Sequence, residues 1–273
     1  VQASAALRDE PEGRFARLRE AFDLGGDDAD LLLLSLAPEI SAGYGRIFAY
    51  LNDNLNQAYL TVDLATRVLR GGRTERLALQ SRLMSGAPLI HNRLLLLDPP
   101  EGSETHTSRR IHPAGRLVQW LMEEKELPGS MGFTPMDTSR SPLIPQITKD
   151  RIEKVLPTLS KAVTVAVVGS TQGGREGVAL ALAIAADRPM VRVDLERCQQ
   201  FLEQPMELLR ELKLSGALPY VVNMVSSQED PQARMKVMRL GAALASLPYP
   251  VLVGGADRRA IGALLGSERP SLT

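Results

Sequence analysis

Cysteine is nearly absent: Cys198 stands alone among 273 residues, so no disulfide can form within the chain. Such usage fits a reducing compartment, and the expected location is the cytoplasm. The three histidines, His91, His106 and His112, lie far from Cys198 in the sequence and lack zinc-site spacing, so no metal ligand set is expected. No apolar run approaches the roughly 18–20 residues that cross a bilayer, Leu31–Leu34 and Leu94–Leu97 being core-sized, and no membrane partner is expected. The start, Val1-Gln2-Ala3, is soon followed by acids and shows no signal-peptide pattern. A start without methionine and an end at Ser271-Leu272-Thr273 suit a fragment of a longer polypeptide. Net charge is missing as well, 32 basic side chains cancelling 32 acidic ones, so no overall field attracts nucleic acid or anionic lipid.

What remains is an ordinary globular composition, 44% hydrophobic and 23% charged, long enough for two cores. The predicted organisation is a mostly helical domain over 1–128, a linker over 129–147 and an α/β domain over 148–273. In the first part Phe15, Leu18 and Phe22 recur at helical spacing, with a stop expected at Gly25-Gly26. Asp27 or Asp28 is expected to cap a second helix through Leu31–Leu36, ended by Pro38. Tyr44, Ile47, Phe48 and Leu51 form the inward stripe of a predicted third helix. Thr61 is expected to cap a fourth, with Leu64 and Val68 inward and Gly71-Gly72 closing it; a fifth runs from Arg73 to Met84. Pro88–Leu97 reads as a strand and Asp98–Ser108 as a hairpin tip, followed by a helix with Leu117, Val118 and Leu121 on one face. Helices followed by a hairpin predict a winged-helix arrangement.

Charge within this domain is split. Residues 61–97 hold Arg67, Arg70, Arg73, Arg76, Arg82 and Arg93 against Asp63 and Glu75, whereas residues 1–60 are net acidic. Such a split can set a basic helix against phosphates. Asn and Gln for base reading are sparse there, so DNA is the lesser expectation and a protein neighbour the better one.

Pro128–Pro145 has no period and reads as a connector. After it, Ile152, Val155, Leu156 and Leu159 mark a helix, and Val163–Val168, apolar on both faces, a central parallel strand. Further strands are predicted at Met190–Val193, Pro219–Val225 and Pro250–Val253, with helices between them marked by Val178, Leu182 and Ala185, by Leu202, Met206 and Leu209, and by Met235, Met238 and Ala242.

Between the first strand and its helix stands Gly169-Ser170-Thr171-Gln172-Gly173-Gly174-Arg175-Glu176. The phosphate-binding pattern is Gly, four residues, Gly, Lys, then Ser or Thr, the glycines letting backbone N–H groups turn toward phosphate. Both framing glycines are in place. Arg175 replaces the lysine, keeping the charge but not its reach, and Glu176 replaces the hydroxyl that would hold Mg²⁺. On the third strand Asn223, Ser226 and Ser227 occupy the stretch where metal-organising acids belong, while Glu229 and Asp230 suit the start of the following helix. Near the fourth strand's end, Gly254, Gly255 and Ala256 stand where a polar sensor side chain belongs. No catalytic residue is therefore assigned. Residues 169–176 are a vestigial nucleotide loop or, more plainly, a strand-to-helix turn.

Leu31–Ile40, Tyr44–Asp53 and Thr61–Ala65 resemble the N-terminal region of certain bacterial AAA+ ATPases, some encoded with contractile phage-tail-like injection systems. That resemblance implies a winged-helix-like domain, then a degenerate AAA domain, with a competent ATP- and Mg²⁺-dependent AAA domain further along. It also implies protein partners and other AAA modules arranged in a ring, with no cofactor in this part. Gly169, Gly174 and Arg175 match the family's loop positions and Glu176 does not; Arg258 and Arg259 would be surface residues or arginine fingers. The expected function is assembly and partner recruitment without catalysis. The alternatives are an active or nucleotide-sensing P-loop NTPase with an Arg/Glu pair, and a winged-helix DNA binder.

Overall fold

The computed structural model describes residues 13–99, 105–122, 132–159, 162–169, 174–223, 231–256, 261 and 271–272. Two compact units divide the chain, Val1–Lys125 and Glu126–Thr273. The architecture is mixed α/β. Among the described residues no helix is long and apolar enough to cross a membrane.

In the first unit, α1 (Arg14–Phe22) buries the expected Phe15, Leu18 and Phe22. It stops at Asp23, which takes the left-handed conformation at φ 51°, rather than at Gly25-Gly26. Gly25 instead caps α2 (Gly26–Ile40), and its N–H donates to Asp28 Oδ2 at 3.1 Å, so Asp28 serves from inside the first turn rather than as the cap residue. Pro38 does not end this helix: it removes one N–H near the C-terminus, and the helix runs two residues further, to Ile40.

The next helix, α3 (Ala42–Leu51), turns a different face inward from the expected one. Gly45, Phe48 and Ala49 are buried, while Tyr44, Ile47 and Leu51 face outward beside Tyr50. Gly45 decides the rotation. A Cβ there would stand 3.1 Å from the Ala58 carbonyl oxygen, tighter than most real contacts, so glycine lets the helix approach that backbone without displacing it.

Strand β1 (Leu60–Thr61) leads into α4 (Val62–Leu69), whose Leu64 N–H donates to Thr61 Oγ1 at 3.1 Å as expected. Leu64 is buried, but Val68 is exposed because the helix ends one residue later. Gly72 is the cap of α5 (Arg73–Ser81), not a terminator of α4. The predicted strand over Pro88–Leu97 splits into one helical turn, α6 (Pro88–His91), and β2 (Leu95–Leu97); proline at the first helical position favours that turn. β3 (Arg110–Pro113) pairs antiparallel with both β1 and β2, giving the order β1-β3-β2 and making β2–β3 the hairpin. α7 (Gly115–Leu121) follows with Leu117 buried.

The first described strand of the second unit falls inside the stretch expected to be a connector. β4 (Phe133–Met136) pairs antiparallel with β6 along the sheet edge, and buried Phe133 packs 5.3 Å from the Phe201 ring. α8 (Gln146–Val155) precedes β5 (Thr164–Val168), α9 (Arg175–Ala185), β6 (Met190–Asp194), α10 (Gln199–Glu203) and α11 (Pro205–Ser215). Then come β7 (Leu218–Val222), α12 (Pro231–Ala245), β8 (Val251–Gly255) and β9 (Ser271–Leu272). The sheet order is β4-β6-β7-β8-β5-β9, parallel throughout except at β4.

Side chains alternate strictly between two cores. Val165, Val167, Tyr220 and Leu252 pack with Ile152, Ala179 and Leu182 of α8 and α9. Ala166, Val193, Val221 and Val253 pack with Phe201, Leu209 and Leu240 of α10–α12. Burial on both faces explains why these strands read as continuous apolar runs. From β5 the chain crosses to β6 on one side, whereas from β8 it crosses past β5 to β9 on the other. With right-handed crossovers, opposite directions put the helices on opposite faces. In open α/β sheets the carboxyl ends of the strands at such a reversal, here β5 and β8, are the usual place for a ligand.

Candidate functional site

The glycine-rich turn leaves the carboxyl end of β5. Gly169 N–H donates to the Gly255 carbonyl at 3.1 Å, which ties the start of the turn to the end of β8. Gly174 caps α9 in the left-handed conformation, φ 78° and ψ 22°, with nothing within 4 Å of a Cβ built there. Glycine is thus needed at 174 for its backbone conformation, not for space. Ser170, Thr171, Gln172 and Gly173 lie outside the described residues, as do Ser226, Ser227, Glu229, Asp230, Arg258 and Arg259.

Arg175 opens α9 and folds back toward the start of the turn. Its Cγ stands 3.7 Å from the position a Gly169 Cβ would take. Its Nε is buried without a hydrogen-bond partner. Glu176, the next residue, is half exposed, and its Oε2 faces Arg192 Nε of β6 at 4.0 Å. Arg192 Nη2 donates to Asp194 Oδ2 at 3.2 Å. The Asn223 amide, just past β7, donates to the same oxygen at 2.9 Å, and Glu196 N–H donates to Oδ1 at 3.2 Å. Asn223 sits at φ 54°, where asparagine is among the few tolerated side chains.

A polar chain therefore runs Glu176–Arg192–Asp194–Asn223 across α9, β6 and β7. Arg192 and Asp194 carry no motif spacing; the only sequence signal is their polarity at alternate positions in an otherwise apolar strand. Beside them Tyr220 crosses Gly254. Burial pushes its hydroxyl pKa up, Arg175 and Arg192 oppose that rise, and Glu176 adds to it. At the end of β8, Gly254, Gly255 and Ala256 offer no side-chain polar group.

This arrangement can hold the turn in place, and its carboxylate is already engaged, while Arg175 Nε and Arg192 Nε are buried without hydrogen-bond partners. The Asp194 carboxylate, 5% exposed, has a guanidinium, an amide and a backbone N–H as donors. Among the described residues no group of three His, Cys, Asp or Glu is placed to hold a metal ion.

In the first unit the acidic and basic halves meet internally. Arg70 pairs with Asp27 and stands 3.6 Å from Asp30; Arg82 is 3.5 Å from buried Asp28; Arg67 pairs with Asp63 at 2.8 Å. Arg76 donates to the Arg70 and Gly71 carbonyls at 3.1 and 3.2 Å. Arg73 and Glu75 are exposed on α5, together with the apolar Leu77 and Ala78.

Helices feeding a small antiparallel sheet, closed by the β2–β3 hairpin, define the class of the first unit. A winged-helix domain spans residues 2–133: the family model described as winged helix domain, variant, matches that stretch. No curated protein and no solved structure matches the chain.

Proposed function

We propose that the chain is a non-catalytic assembly and partner-recruiting part of an AAA+-type ATPase, with ATP hydrolysis in a further module. In this reading the α/β unit supplies ring contacts, the winged-helix domain recruits a protein partner, and the setting is the cytoplasm. One observation carries it: the groups at the metal-organising positions are turned to other work. Glu176 faces Arg192, and Asn223 gives its amide to Asp194. A carboxylate at 176 adds negative charge beside a triphosphate, and an amide at 223 supplies no charge to organise Mg²⁺ and water. The outward Tyr44, Ile47 and Tyr50 of α3 and the internal pairing of Arg67, Arg70 and Arg82 support protein rather than phosphate recognition. The expected result with Mg-ATP is phosphate release at the rate of the protein-free blank. Turnover that disappears in Arg175→Ala would defeat the reading.

The winged-helix match favours a second reading, DNA binding. Exposed Arg73 on α5 would then touch a phosphate. Each phosphate contact contributes a slope of about −0.9 to log K against log salt, so a true binder weakens steeply as salt rises. Anisotropy of a labelled duplex is expected to stay flat on titration. Salt-steep binding reduced by Arg73→Ala would establish the DNA reading instead.

A further inference from the structure

Helix α12 carries two different faces. Val237, Leu240 and Leu244 are buried in the core it shares with α10 and α11. Met235, Met238, Ala242 and Ala245 lie on another side, and both methionines are 54% exposed. Their spacing is that of the a and d positions of two consecutive heptads. At 3.6 residues per turn the four share an arc of about 80° that excludes the buried residues.

The flanking positions are as regular. Arg234 stands just before the first a residue, at g, and Arg239 just after the first d residue, at e; both are exposed. No ion pair joins either to a carboxylate among the described residues. Lys236, by contrast, lies off the seam and pairs with Glu203 of α10. No Asp or Glu occurs within α12.

In a coiled coil the a and d side chains enter holes on the facing helix, and charges at e and g select the partner. Methionine is flexible and polarizable, which suits an adaptable contact. The same helix of a second copy would set arginine against arginine, so self-pairing is disfavoured. A helix with acids at e and g meets both arginines with opposite charge. A phosphate polymer would answer the arginines but not the apolar seam between them.

We infer that the outer face of α12 docks an acidic amphipathic helix of a different protein, its apolar stripe against Met235 and Met238 and its carboxylates on Arg234 and Arg239. This goes beyond the recruiting role given to the winged-helix domain, since it places a second docking surface on the α/β unit.

Fluorescence anisotropy of labelled three-heptad peptides, titrated with the full chain, tests it. The probe has leucine at a and d and glutamate at e and g; its counterpart has lysine at e and g. Saturable one-to-one binding is expected for the glutamate peptide, at least about tenfold tighter than for the lysine peptide, since only the sign of the charge facing the arginines differs. Arg234→Glu with Arg239→Glu alters two exposed side chains and should leave the melting temperature unchanged. That double variant is expected to reverse the preference, losing the glutamate peptide about tenfold and gaining the lysine peptide. Met235→Gln with Met238→Gln should weaken the glutamate peptide about tenfold through lost apolar burial. The proposal is overturned if no saturable binding occurs, if the two peptides bind alike, or if either double variant leaves binding undiminished. Binding to phosphatidylserine vesicles that needs both arginines, with the peptide unbound, would assign the face to a membrane and overturn it too. No nucleotide is present, so failure here leaves the reading of lost hydrolysis standing.

Discussion

Glu211→Ala is expected to destabilise the α/β unit by about 3–5 kcal/mol, the usual cost of removing one partner from a buried ion pair. Glu211 is 0% exposed and Arg210 beside it 5%. Arg210 donates from both Nε, at 3.2 Å, and Nη2, at 3.1 Å, to Glu211 Oε1. They sit on α11, which buries nearly its whole circumference, including Leu208, Leu209, Leu212 and Leu214. Alanine at 211 takes from that buried guanidinium the carboxylate oxygen to which its Nε and Nη2 donate. Replacing both residues by apolar ones of similar size, Arg210→Met with Glu211→Leu, should recover most of the loss. Urea melts of the three variants measure this. A single-variant cost below about 1 kcal/mol would show that solvent reaches the pair.

Gly254→Ala is expected to cost about 1–3 kcal/mol through overpacking. A Cβ at 254 would stand 2.5 Å from the Tyr220 hydroxyl and 2.9 Å from two ring carbons, inside any real van der Waals contact. Tyr220 is pinned from beneath by the α8–α9 core, so its ring has little room to withdraw. Tyr220→Leu in the same chain should restore part of the stability, making the two changes non-additive as expected of residues in contact. Thermal melts of the single and double variants decide it, and simple additivity would mean that the ring is not what excludes a side chain at 254. The glycine at a sensor-like position thus has a packing reason. A polar side chain there would have to displace Tyr220.

Both effects bear on function through rigidity. The apolar strands and the Tyr220–Gly254 contact hold the ends of β5, β7 and β8 together, and the Gly169–Gly255 hydrogen bond fastens the glycine-rich turn to them. Gly169 and Gly174, at the two ends of the turn, both take positive φ, 156° and 78°. The neighbouring polar groups Arg192, Asp194 and Asn223 bond to one another across the ends of β6 and β7.

Local chemistry was legible in the residues themselves. Phe15, Leu18 and Phe22 form one buried stripe, Thr61 caps α4, and apolar runs bounded by turns mark β5–β8, because helix period, cap chemistry and strand burial act over a few neighbouring residues. The strand–glycine turn–helix order around Gly169 and Gly174 was equally visible. Contacts distant along the chain were not. A stripe of Tyr44, Ile47, Phe48 and Leu51 suits the helical period, yet the approach of Gly45 to Ala58 turned most of it outward. Phe133–Met136 lies among prolines and glycines and became a strand because β6 offered an open edge. Likewise the net charge of residues 61–97 implied a basic surface, but Arg70 and Arg82 are drawn to acids on α2, about forty to fifty residues away. Sequence alone determined most of the helices, the strands β5–β8 and where phosphate-loop chemistry departs from its pattern. Only the tertiary structure decided which faces are buried, which charges cancel, and that Glu176 and Asn223 serve Arg192 and Asp194, since each depends on the partner that folding brings within reach.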